Sequence, residues 1–511
     1  MAVNASRPRD AGRDPTETED VVSELDRSVD ALLVPGFVGT ELPAWVRRRV
    51  DQGLGGVALF ARNITDLTQL RSLTDDLHAS RGDVLVAVDE EGGDVTRLEA
   101  ARGSRHPGAL ALGTIDDVAL TRRVAASIGA LLQQGGVDWT WSPVADVSSN
   151  PGNPVIGVRS YGADAELVAR HAAATVRGLQ SDAGILACAK HFPGHGDTDM
   201  DSHLGLPVVA AARDRLDATE LAPFRSCIDA GVRTVMTGHL RVPALDPDLP
   251  ATLSSAVVTD LLRGELGFTG VVVSDALEME GVARGRGMEE AAVLAVLAGV
   301  DALCIGGHLA DDDVVRRVHA ALVGAVRSGR IGEGRVHESA LRVAALAAWR
   351  ADASSLHPAW MSDDECVAAA ARAVSTAGRV TLGDGAPVVV LCDPAPGIAA
   401  GSAPWGFEDA LRATRPDAEV RRVGDTTPVP DDLPTGRPLV LVLRDSGRHA
   451  WQRVVEQRLV DARPDVVVVE LGVPAATHPR ATGRITSHGA SRSSVEAVVA
   501  LLTAPDGRRP R

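Results

Sequence analysis

The sequence has 511 residues, of which 45% are hydrophobic and 23% are charged, and its formal net charge is −16 at pH 7. This length exceeds that of one ordinary domain, and it predicts a large domain with at least one smaller one in a globular chain. The negative charge disfavours binding to nucleic acid and to anionic membrane surfaces, so we expect neither as a partner.

The cysteines and the N-terminal segment bear on localisation. The five cysteines are widely spaced and form no CxxC pair, which disfavours a disulfide framework or a structural zinc site and favours a reducing compartment. Residues 1–25 are polar and charged, which predicts a disordered N-terminal tail rather than a signal peptide or a membrane anchor. No run of about 18 apolar residues follows. We therefore expect a cytoplasmic protein.

Eight short apolar runs alternate with helical patterns between residues 26 and 350. The runs lie near Ala31, Val57, Val86, Trp139, Ala187, Met236, Val273 and Leu303. Nearly continuous apolar runs are typical of parallel strands buried on both faces. Eight successive βα units predict a (β/α)8 TIM-like barrel.

A second βα series follows the predicted barrel. Residues 351–364 indicate a linker, and residues 365–511 predict a smaller C-terminal α/β sandwich domain. Its predicted strands are RVTL, APVVVLCD, RPLVLVLRD and PDVVVVELG. No GxGxxG loop follows the first of these strands, so we predict no nucleotide site and expect no cofactor.

Polar residues end several of the predicted barrel strands. They are Asp89, Asp146, Lys190 with His191, His239 and Asp275. The carboxyl ends of the strands form the active-site face of such a barrel, so these residues are expected to converge. Lys190 is the only lysine among 52 basic residues. In a chain that otherwise uses arginine, this lone ammonium group is a candidate functional residue, because arginine cannot replace a compact point charge in a tight site.

The segment KHFPGHGDTDMDSHLGLP, residues 190–207, holds three histidines and three aspartates directly after a strand. Its glycines and prolines predict a loop over the barrel mouth. Three interpretations compete: a solvated polar loop, a metal site, and acid/base catalysis by a histidine that a carboxylate orients. The chain has no HExxH helix, and Lys190 adds an unfavourable charge for a cation, so we expect no metal.

Three further segments carry candidate residues. Asp275 follows four apolar residues at a strand end, where it either caps the next helix or acts in catalysis. An acid/base group across the same face would give the two-group arrangement that glycoside cleavage requires. Asp89 and Arg97 flank a Gly92–Gly93 turn, and we expect them to grip sugar hydroxyls from opposite sides. Arg159 is the candidate in NPVIGVRSYG.

These segments, in this order, resemble glycoside hydrolase family 3 and most of all its β-N-acetylglucosaminidase (β-N-acetylhexosaminidase) branch. KHFPGHG…DSH, DEEGGDVTRL, WSPVADV, SDALEM and RIGEGRVHESALRV carry the resemblance over residues 28–350. It implies a TIM-like barrel, retention of anomeric configuration, Asp275 as the nucleophile, and Asp201 with His203 as the acid/base pair. The positions that match the family's sugar-binding residues are Asp89, Arg97, Arg159, Lys190 and His191.

The expected function is exo-cleavage of N-acetylglucosamine from glycosides such as peptidoglycan fragments, with a small carbohydrate as the binding partner. Histidine as base does not repel an anionic acceptor, so phosphorolysis of a β-N-acetylglucosaminide or a β-glucoside, with inorganic phosphate held by Arg159 and Lys190, is the alternative. Two alternative hypotheses from other functional classes are a metal-dependent hydrolase and a non-catalytic sugar-binding protein.

Overall fold

The computed structural model describes most of the chain. The described residues are 23–202, 205–306, 311–383, 385–395, 401, 405–427, 429, 432–476 and 478–504. Within these ranges, no helix has both the length and the apolarity needed to cross a bilayer.

The eight predicted barrel strands are all present. Strands β1 to β8 are Leu33–Pro35, Gly56–Leu59, Leu85–Val88, Trp139–Thr140, Cys188–Phe192, Thr234–Thr237, Val271–Ser274 and Leu303–Ile305. Parallel pairing joins β2, β3 and β4, then β5, β6 and β7, and finally β8 and β1. Single parallel bridges, Trp139 to Leu186 and Val273 to Ala302, connect these groups. All eight strands consist of buried residues, as the apolar runs predict.

The barrel helices are α1 to α12. Their bounds are Glu24–Asp30, Ala44–Gln52, Leu67–Ser80, Ala109–Ile115, Val118–Gln134, Ala165–Arg177, Arg213–Arg215, Ala222–Asp229, Glu280–Ala283, Met288–Ala298, Asp312–Arg327 and Glu333–Ala353. Shorter 3-10 turns lie at Ala61–Asn63, Gly157–Arg159 and Ala251–Leu253, and π-helical turns at Gly178–Asp182, Leu216–Glu220 and Ala256–Glu265. Four helices begin after an aspartate whose carboxylate accepts a backbone N–H bond, as N-capping residues do. These caps are Asp66, Asp117, Asp164 and Asp311.

A six-stranded sheet follows the barrel. Its strands β9 to β14 are Ser375–Gly378, Val388–Cys392, Glu419–Val423, Leu439–Leu443, Val467–Glu470 and Gly483–Thr486, in the spatial order β11-β10-β12-β13-β14-β9. All pairings are parallel except that of β9 with β14. Helices α14 (Phe407–Thr414) and α16 (Arg492–Thr503) pack on one face, and α15 (Ala450–Ala462) packs on the other. This is the α/β sandwich predicted for the C-terminal region.

One of the four predicted C-terminal strands is misplaced, and two strands of the sheet were not predicted. The RVTL segment is not a strand: the strand is the preceding STAG, which ends at Gly378 with a φ of 70°. Strands β11 and β14 were not predicted, because the short EVRRV and GRIT segments carry arginines that hide their β character. The three central apolar predictions, at β10, β12 and β13, are confirmed.

The ends of the predicted segments also differ slightly from the structure. Of the predicted tail, residues 1–22 lie outside the described residues, and helix α1 already begins at Glu24. The last barrel helix extends to Ala353, three residues past the predicted barrel end, and α13 (Asp363–Ala373) begins within the predicted linker. Helix ends depend on capping, and Ser362 caps α13 with Glu365 in a reciprocal box that shortens the connection.

Candidate active site

A cavity of about 270 Å³ opens at the carboxyl ends of the barrel strands. It is lined by polar residues from five strands or their following loops, and by a smaller set of apolar ones. The polar and charged lining residues are Arg62, Asp89, Glu91, Arg97, Arg159, Lys190, His191, His195, Ser202, Asp275 and Glu278. Of the strand-end residues predicted to converge, Asp89, Lys190, His191 and Asp275 line this cavity, whereas Asp146 and His239 do not.

Lys190, at β5, bridges two carboxylates that follow β3. Its ammonium nitrogen lies 2.5 Å from Asp89 Oδ1 and 2.8 Å from Glu91 Oε1, and the side chain is only 2% exposed. The charges of Asp89 and Glu91 hold the pKa of Lys190 above its ordinary value despite the opposing effect of burial. The lone lysine is therefore a buried, charged member of the cavity wall.

Arg159 is neutralised by Glu91. Its Nε and Nη2 donate to the two carboxylate oxygens of Glu91 at 2.9 and 2.7 Å, in the bidentate geometry typical of strong Arg–carboxylate pairs. Burial alone would raise the pKa of Glu91, but the charges of Arg159 and Lys190 outweigh burial and hold it below the usual range. Glu91 thus forms ion pairs with both cations, an arrangement that no pattern in the sequence indicated.

The turn after β3 is built around Glu90. Its Oε2 accepts hydrogen bonds from the backbone N–H groups of Arg97 and Leu98, at 2.9 and 3.0 Å, and from Thr96 Oγ1 at 3.0 Å. Gly92 and Gly93 have φ values of 75° and 64°, a region that favours glycine, and they permit the reversal. Burial raises the pKa of Glu90 to about 7, so this carboxyl supports the turn rather than carrying a permanent charge.

Arg97 and Asp89 lie side by side. Arg97 Nη2 is 3.8 Å from Asp89 Oδ2, and both residues line the cavity. The expectation that they grip a sugar from opposite sides was therefore wrong: the turn places both on one wall. A bound sugar would meet an adjacent cation and anion there.

Asp146, which follows β4, holds His191 at the end of β5 and His195 in the loop after it. Its Oδ2 is 2.7 Å from His191 Nδ1, and its Oδ1 accepts the His195 backbone N–H at 2.7 Å. Asp146 is fully buried, and although burial opposes ionisation, the two histidines keep its pKa below the ordinary value. Since Nδ1 of His191 contacts Asp146, the ring is oriented with Nε2 as its remaining polar atom. Asp146 is a positioning residue that the sequence marked only as a strand-end aspartate.

The loop after β5 is anchored to the loop after β4. Asn153 Nδ2 donates to the carbonyl oxygens of His195 and Gly196, at 2.8 and 3.1 Å. Burial and the nearby His191 lower the pKa of His195 to about 4, so this histidine is neutral and acts within the loop, through Nδ1 at 2.8 Å from Thr198 Oγ1.

Asp201, one member of the predicted acid/base pair, follows in the same segment. Asp201 is half-buried, and the adjacent Ser202 lines the cavity. His203, the predicted acid/base residue, lies outside the described residues, as does Leu204. The residue between Asp201 and His203 in the sequence therefore lines the cavity, and the role of His203 stays a prediction.

Asp275 stands at the carboxyl end of β7. Its backbone N–H donates to the Thr237 carbonyl at 3.1 Å, which ties it to the end of β6, and its Oδ1 accepts the Ala276 N–H at 2.8 Å. The side chain is partly buried and lines the same cavity as Lys190 and His191. Its carboxylate is therefore held in one orientation beside the polar wall.

The C-terminal sheet also reaches the cavity. Gly401, in the segment after β10, is a lining residue, and a Cβ built on it would lie 3.5 Å from Arg97 Nη1. The sequence offered no signal for this contact, because Gly401 is remote from the barrel along the chain. A larger cleft of about 970 Å³ lies at the opposite end of the barrel, between α1, α2 and α12, away from the strand-end residues.

No group of three or more potential His, Cys, Asp or Glu metal ligands occurs in the part of the chain that the structure describes. The charged lining residues instead pair with one another, as in the contacts of Glu91 with Lys190 and Arg159. This donor set suits binding of a neutral polar ligand through hydrogen bonds.

Comparison with known proteins agrees with this geometry. The model of the glycosyl hydrolase family 3 N terminal domain matches residues 25–346. Beta-hexosaminidase A from Pseudoalteromonas piscicida is 34% identical over 333 residues, which make up 60% of this chain and 55% of that protein, so the chain spans about half the length of this curated relative.

Two solved structures are similar over different extents. The beta-N-acetylglucosaminidase of glycoside hydrolase family 3 from Paenibacillus sp. str. FPU-7 is 34% identical, with a TM-score of 0.84 and coverage of 94% of this chain and 96% of that chain. A family 3 member from Mycobacterium smegmatis str. MC2 155 is 33% identical, with a TM-score of 0.57 and coverage of 64% of this chain and 97% of that chain. About a third of this chain thus has no counterpart in the second structure.

Proposed function

The chain belongs to glycosyl hydrolase family 3 and is a glycoside hydrolase, and on this premise we propose that it is a retaining exo-β-N-acetylglucosaminidase. Its substrates would be glycosides such as peptidoglycan fragments, from which it releases N-acetylglucosamine. One observation carries the proposal: the Asp275 carboxylate shares a strand-end cavity with the Asp89, Lys190 and His191 side chains. Retaining cleavage requires a nucleophile held beside the bound sugar, together with an acid/base group.

In the first step, Asp275 attacks the anomeric carbon and forms a glycosyl-aspartate. The bond to the aglycone oxygen breaks as His203 protonates that oxygen. Asp201 orients the His203 ring and stabilises its charged form, as a carboxylate does for a catalytic histidine. In the second step, neutral His203 takes a proton from water, which attacks the same carbon and restores the free Asp275 carboxylate.

The polar wall would fix the sugar during both steps. Asp89 accepts hydrogen bonds from sugar hydroxyls, and Arg97 and the Lys190 ammonium donate to them. His191 adds its Nε2, because Nδ1 is bound to Asp146 at 2.7 Å. These groups are held by one another before the sugar arrives, which reduces the entropy cost of binding.

The size of the cavity supports exo-cleavage. Its volume of about 270 Å³ is at the small end of ligand sites. This volume suits one sugar ring rather than an oligosaccharide passing through. Cleavage would then release single N-acetylglucosamine units from the end of the substrate.

Water is the acceptor that this geometry favours. The two cations that the sequence offered for phosphate, Arg159 and Lys190, are both bound to Glu91. A phosphate dianion would have to displace that buried carboxylate or meet its charge. We also place the enzyme in the cytoplasm, a proposal supported by five buried cysteines without disulfide bonds among the described residues.

A panel of p-nitrophenyl glycosides assayed with purified protein tests the proposal. We expect the N-acetyl-β-glucosaminide to be cleaved fastest, with the β-anomer of N-acetylglucosamine formed first in an NMR time course. Turnover should not change with phosphate between zero and tens of millimolar. Preference for another glycoside, or first formation of the α-anomer, would refute the proposed reaction, and formation of a sugar 1-phosphate would identify a phosphorylase instead.

A further inference from the structure

Asp94 lies in the turn after β3 but makes its contacts with the C-terminal sheet. Its Oδ2 is 2.6 Å from Arg444 Nη2, and its Oδ1 accepts the Ala490 backbone N–H at 2.8 Å. The Asp94 side chain is 3% exposed and that of Arg444 is 17% exposed. Two loops of the C-terminal sheet thus hold this barrel residue. One of them contributes Arg444, which forms a largely buried ion pair with Asp94.

Arg444 is itself firmly held. Its backbone N–H donates to Gln452 Oε1 at 2.9 Å, and Gln452 Nε2 donates back to its carbonyl at 2.7 Å. Its guanidinium lies over the Trp405 ring, 4.8 Å from the centroid. The loop after β12 therefore presents the cation from a fixed position rather than on a freely moving side chain.

The location of the pair follows from the topology of the C-terminal sheet. Strand β10 lies between β11 and β12 and is parallel to both, so the order in which strands join the sheet reverses there, and the loops after β10 and β12 border a crevice at the carboxyl ends of these strands. Such crevices bind ligands in open α/β sheets. Here Arg444, after β12, reaches the barrel turn, and Gly401, after β10, approaches Arg97.

The turn that Asp94 occupies is the one that carries Arg97. The Glu91 N–H donates to the Val95 carbonyl at 3.1 Å across the turn, and Glu90 binds the Arg97 N–H at 2.9 Å. Only two residues separate Asp94 from Arg97, so a shift of one displaces the other. The loops of the C-terminal sheet consequently contact this part of the cavity wall at Asp94 and approach it at Arg97.

We propose that Asp94 and Arg444 form a positioning pair through which the C-terminal sheet fixes the Gly92–Leu98 turn, and with it Arg97, for the sugar bound in the barrel. The effect on catalysis rests on the proposed function, in which Arg97 binds the substrate. Neither residue touches the substrate itself. Removal of one charge leaves the other buried without its partner, which favours movement of the turn toward solvent.

Steady-state kinetics with p-nitrophenyl N-acetyl-β-glucosaminide test the pair. We expect Arg444→Gln and Asp94→Asn each to raise KM about tenfold, because displacement of a binding group by a fraction of an ångström has such effects, while kcat changes less than about threefold. The double variant should resemble the single variants, since all three lose the same interaction. Wild-type KM in Arg444→Gln, or fully additive losses in the double variant, would overturn the proposal.

Arg372→Gln is the matched control. Arg372 also joins the C-terminal region to a barrel aspartate, Asp117, at 2.9 Å, but this pair is exposed and remote from the turn. We expect the Arg372→Gln variant to have the same KM as the wild type. Arg444→Lys, which keeps the charge, should recover part of the loss, and it also serves as the test variant if Arg444→Gln does not fold.

Hydrogen exchange separates this proposal from the proposed function. Peptides that contain residues 92–98 should exchange several-fold faster in Arg444→Gln than in Arg372→Gln, in the absence of any substrate. Unchanged exchange would overturn the positioning pair even if KM rose. Faster exchange in a protein that cleaves no glucosaminide would support the pair and refute the proposed reaction instead.

Discussion

Lys190 shows how one side chain can organise a site. Its ammonium group is 2% exposed and contacts Asp89 and Glu91, two residues that follow another strand. A spherical ammonium donates in several directions from a small volume, whereas the planar guanidinium of arginine is larger and fixed in geometry. The chain uses arginine at every other basic position, so the lysine here reflects the space between the two carboxylates.

We therefore predict that Lys190→Arg is nearly as damaging as Lys190→Ala, with kcat/KM reduced about a hundredfold in each. The guanidinium cannot reach both carboxylates without moving the wall, and misplacement of binding groups has effects of this size. The measurement is kcat/KM on the chromogenic glucosaminide, with melting temperature as the control for folding. If Lys190→Arg keeps most of its activity, Lys190 is only a generic cation.

Glu220 is a buried acid that the proposed mechanism does not use. It is 1% exposed and accepts a hydrogen bond from Ser149 Oγ at 3.3 Å, and its Oε2 is 2.7 Å from the position of a Cβ built on Gly194. Burial, together with the charges of Asp146 and Asp197, raises its pKa to about 8. The acid therefore lies in its neutral form beneath the β5 loop.

The raised pKa of Glu220 makes stability depend on pH. The unfolded chain releases the proton near its ordinary pKa of 4.5, and the folded chain releases it only near 8. The stabilising contribution is complete below pH 4.5 and is lost as the pH rises to about 8, by roughly 4 kcal/mol. We predict that Glu220→Gln removes this loss, so that its melting temperature relative to wild type rises steadily from pH 5 to pH 8. Parallel melting temperatures across that range would contradict the assignment.

At the residue scale, the sequence predicted which side chains meet but not how they pair. Asp89, Lys190 and Asp275 each follow an apolar run, and barrel geometry makes such residues converge. The pairing of Arg159 with Glu91 joins residues 68 positions apart, and no local pattern indicates it. The side-by-side placement of Arg97 and Asp89 depends on the turn that Glu90 holds, which is likewise invisible in a linear pattern.

The β5 loop is the element on which the proposed acid/base chemistry depends. Residues 193–202 are anchored at the near end by Asn153 and Asp146, and the loop carries Ser202, which follows Asp201, to the cavity. Catalysis from a loop, rather than from a strand, allows the acid/base group to approach after the sugar has bound. The anchored part would then define the hinge for that motion.

We predict that His203→Ala loses far less activity on a glycoside with a good leaving group than on a natural one. A nitrophenolate departs with little protonation, whereas a sugar oxygen needs a proton from the general acid. The ratio of kcat/KM for the two substrates, compared with wild type, should change about a hundredfold or more. Asp199→Ala, at an exposed position of the same loop, is the control and should leave the ratio unchanged. Equal losses on both substrates would count against His203 as the acid.

At the element scale, strands buried on both faces were the easiest to predict. All eight barrel strands and the three central strands of the second sheet carry continuous apolar runs. Strand β9 is exposed and β11 is only partly buried, so neither shows such a run. The β14 segment is buried but short, and its Gly and Arg conceal it.

In the whole molecule, the two ends of the barrel have different roles. The carboxyl ends of the strands carry the cavity, and the opposite end carries a buried charge network around Asp301, which is fully buried. Its carboxylate accepts hydrogen bonds from Val272 N, Arg263, Arg335, Ser339 and Arg342. These partners join β7, the preceding π-helical turn and the closing helix α12.

We predict that Asp301→Asn lowers the free energy of unfolding by about 3–5 kcal/mol, because three arginines lose their common buried partner. The cavity lies at the other end of the strands, so kcat/KM of the folded protein should stay within about twofold of wild type. Chemical unfolding and kinetics on the same preparations provide the two values. A large loss of kcat/KM without a loss of stability would contradict this division of the barrel.

The position of the C-terminal sheet against the barrel was the feature of the whole molecule that the sequence predicted least well. Its α/β class was predicted from apolar runs, but its contacts with the barrel were not, because Asp94–Arg444 and Arg97–Gly401 join residues several hundred positions apart. Polar residues in loops give no indication of their distant partners. The contacts of this sheet with the barrel can therefore be recognised only in the folded structure.

In the proposed mechanism, Asp275 is the nucleophile of a retaining β-N-acetylglucosaminidase. Turnover of p-nitrophenyl N-acetyl-β-glucosaminide by Asp275→Ala, measured with and without azide, tests this role. We expect turnover to fall at least about ten-thousandfold with an unchanged melting temperature. We also expect azide, entering the space left by the carboxylate, to restore cleavage and to give the α-glycosyl azide. Turnover like that of the wild type, or a β-configured azide product, would show that Asp275 is not the nucleophile.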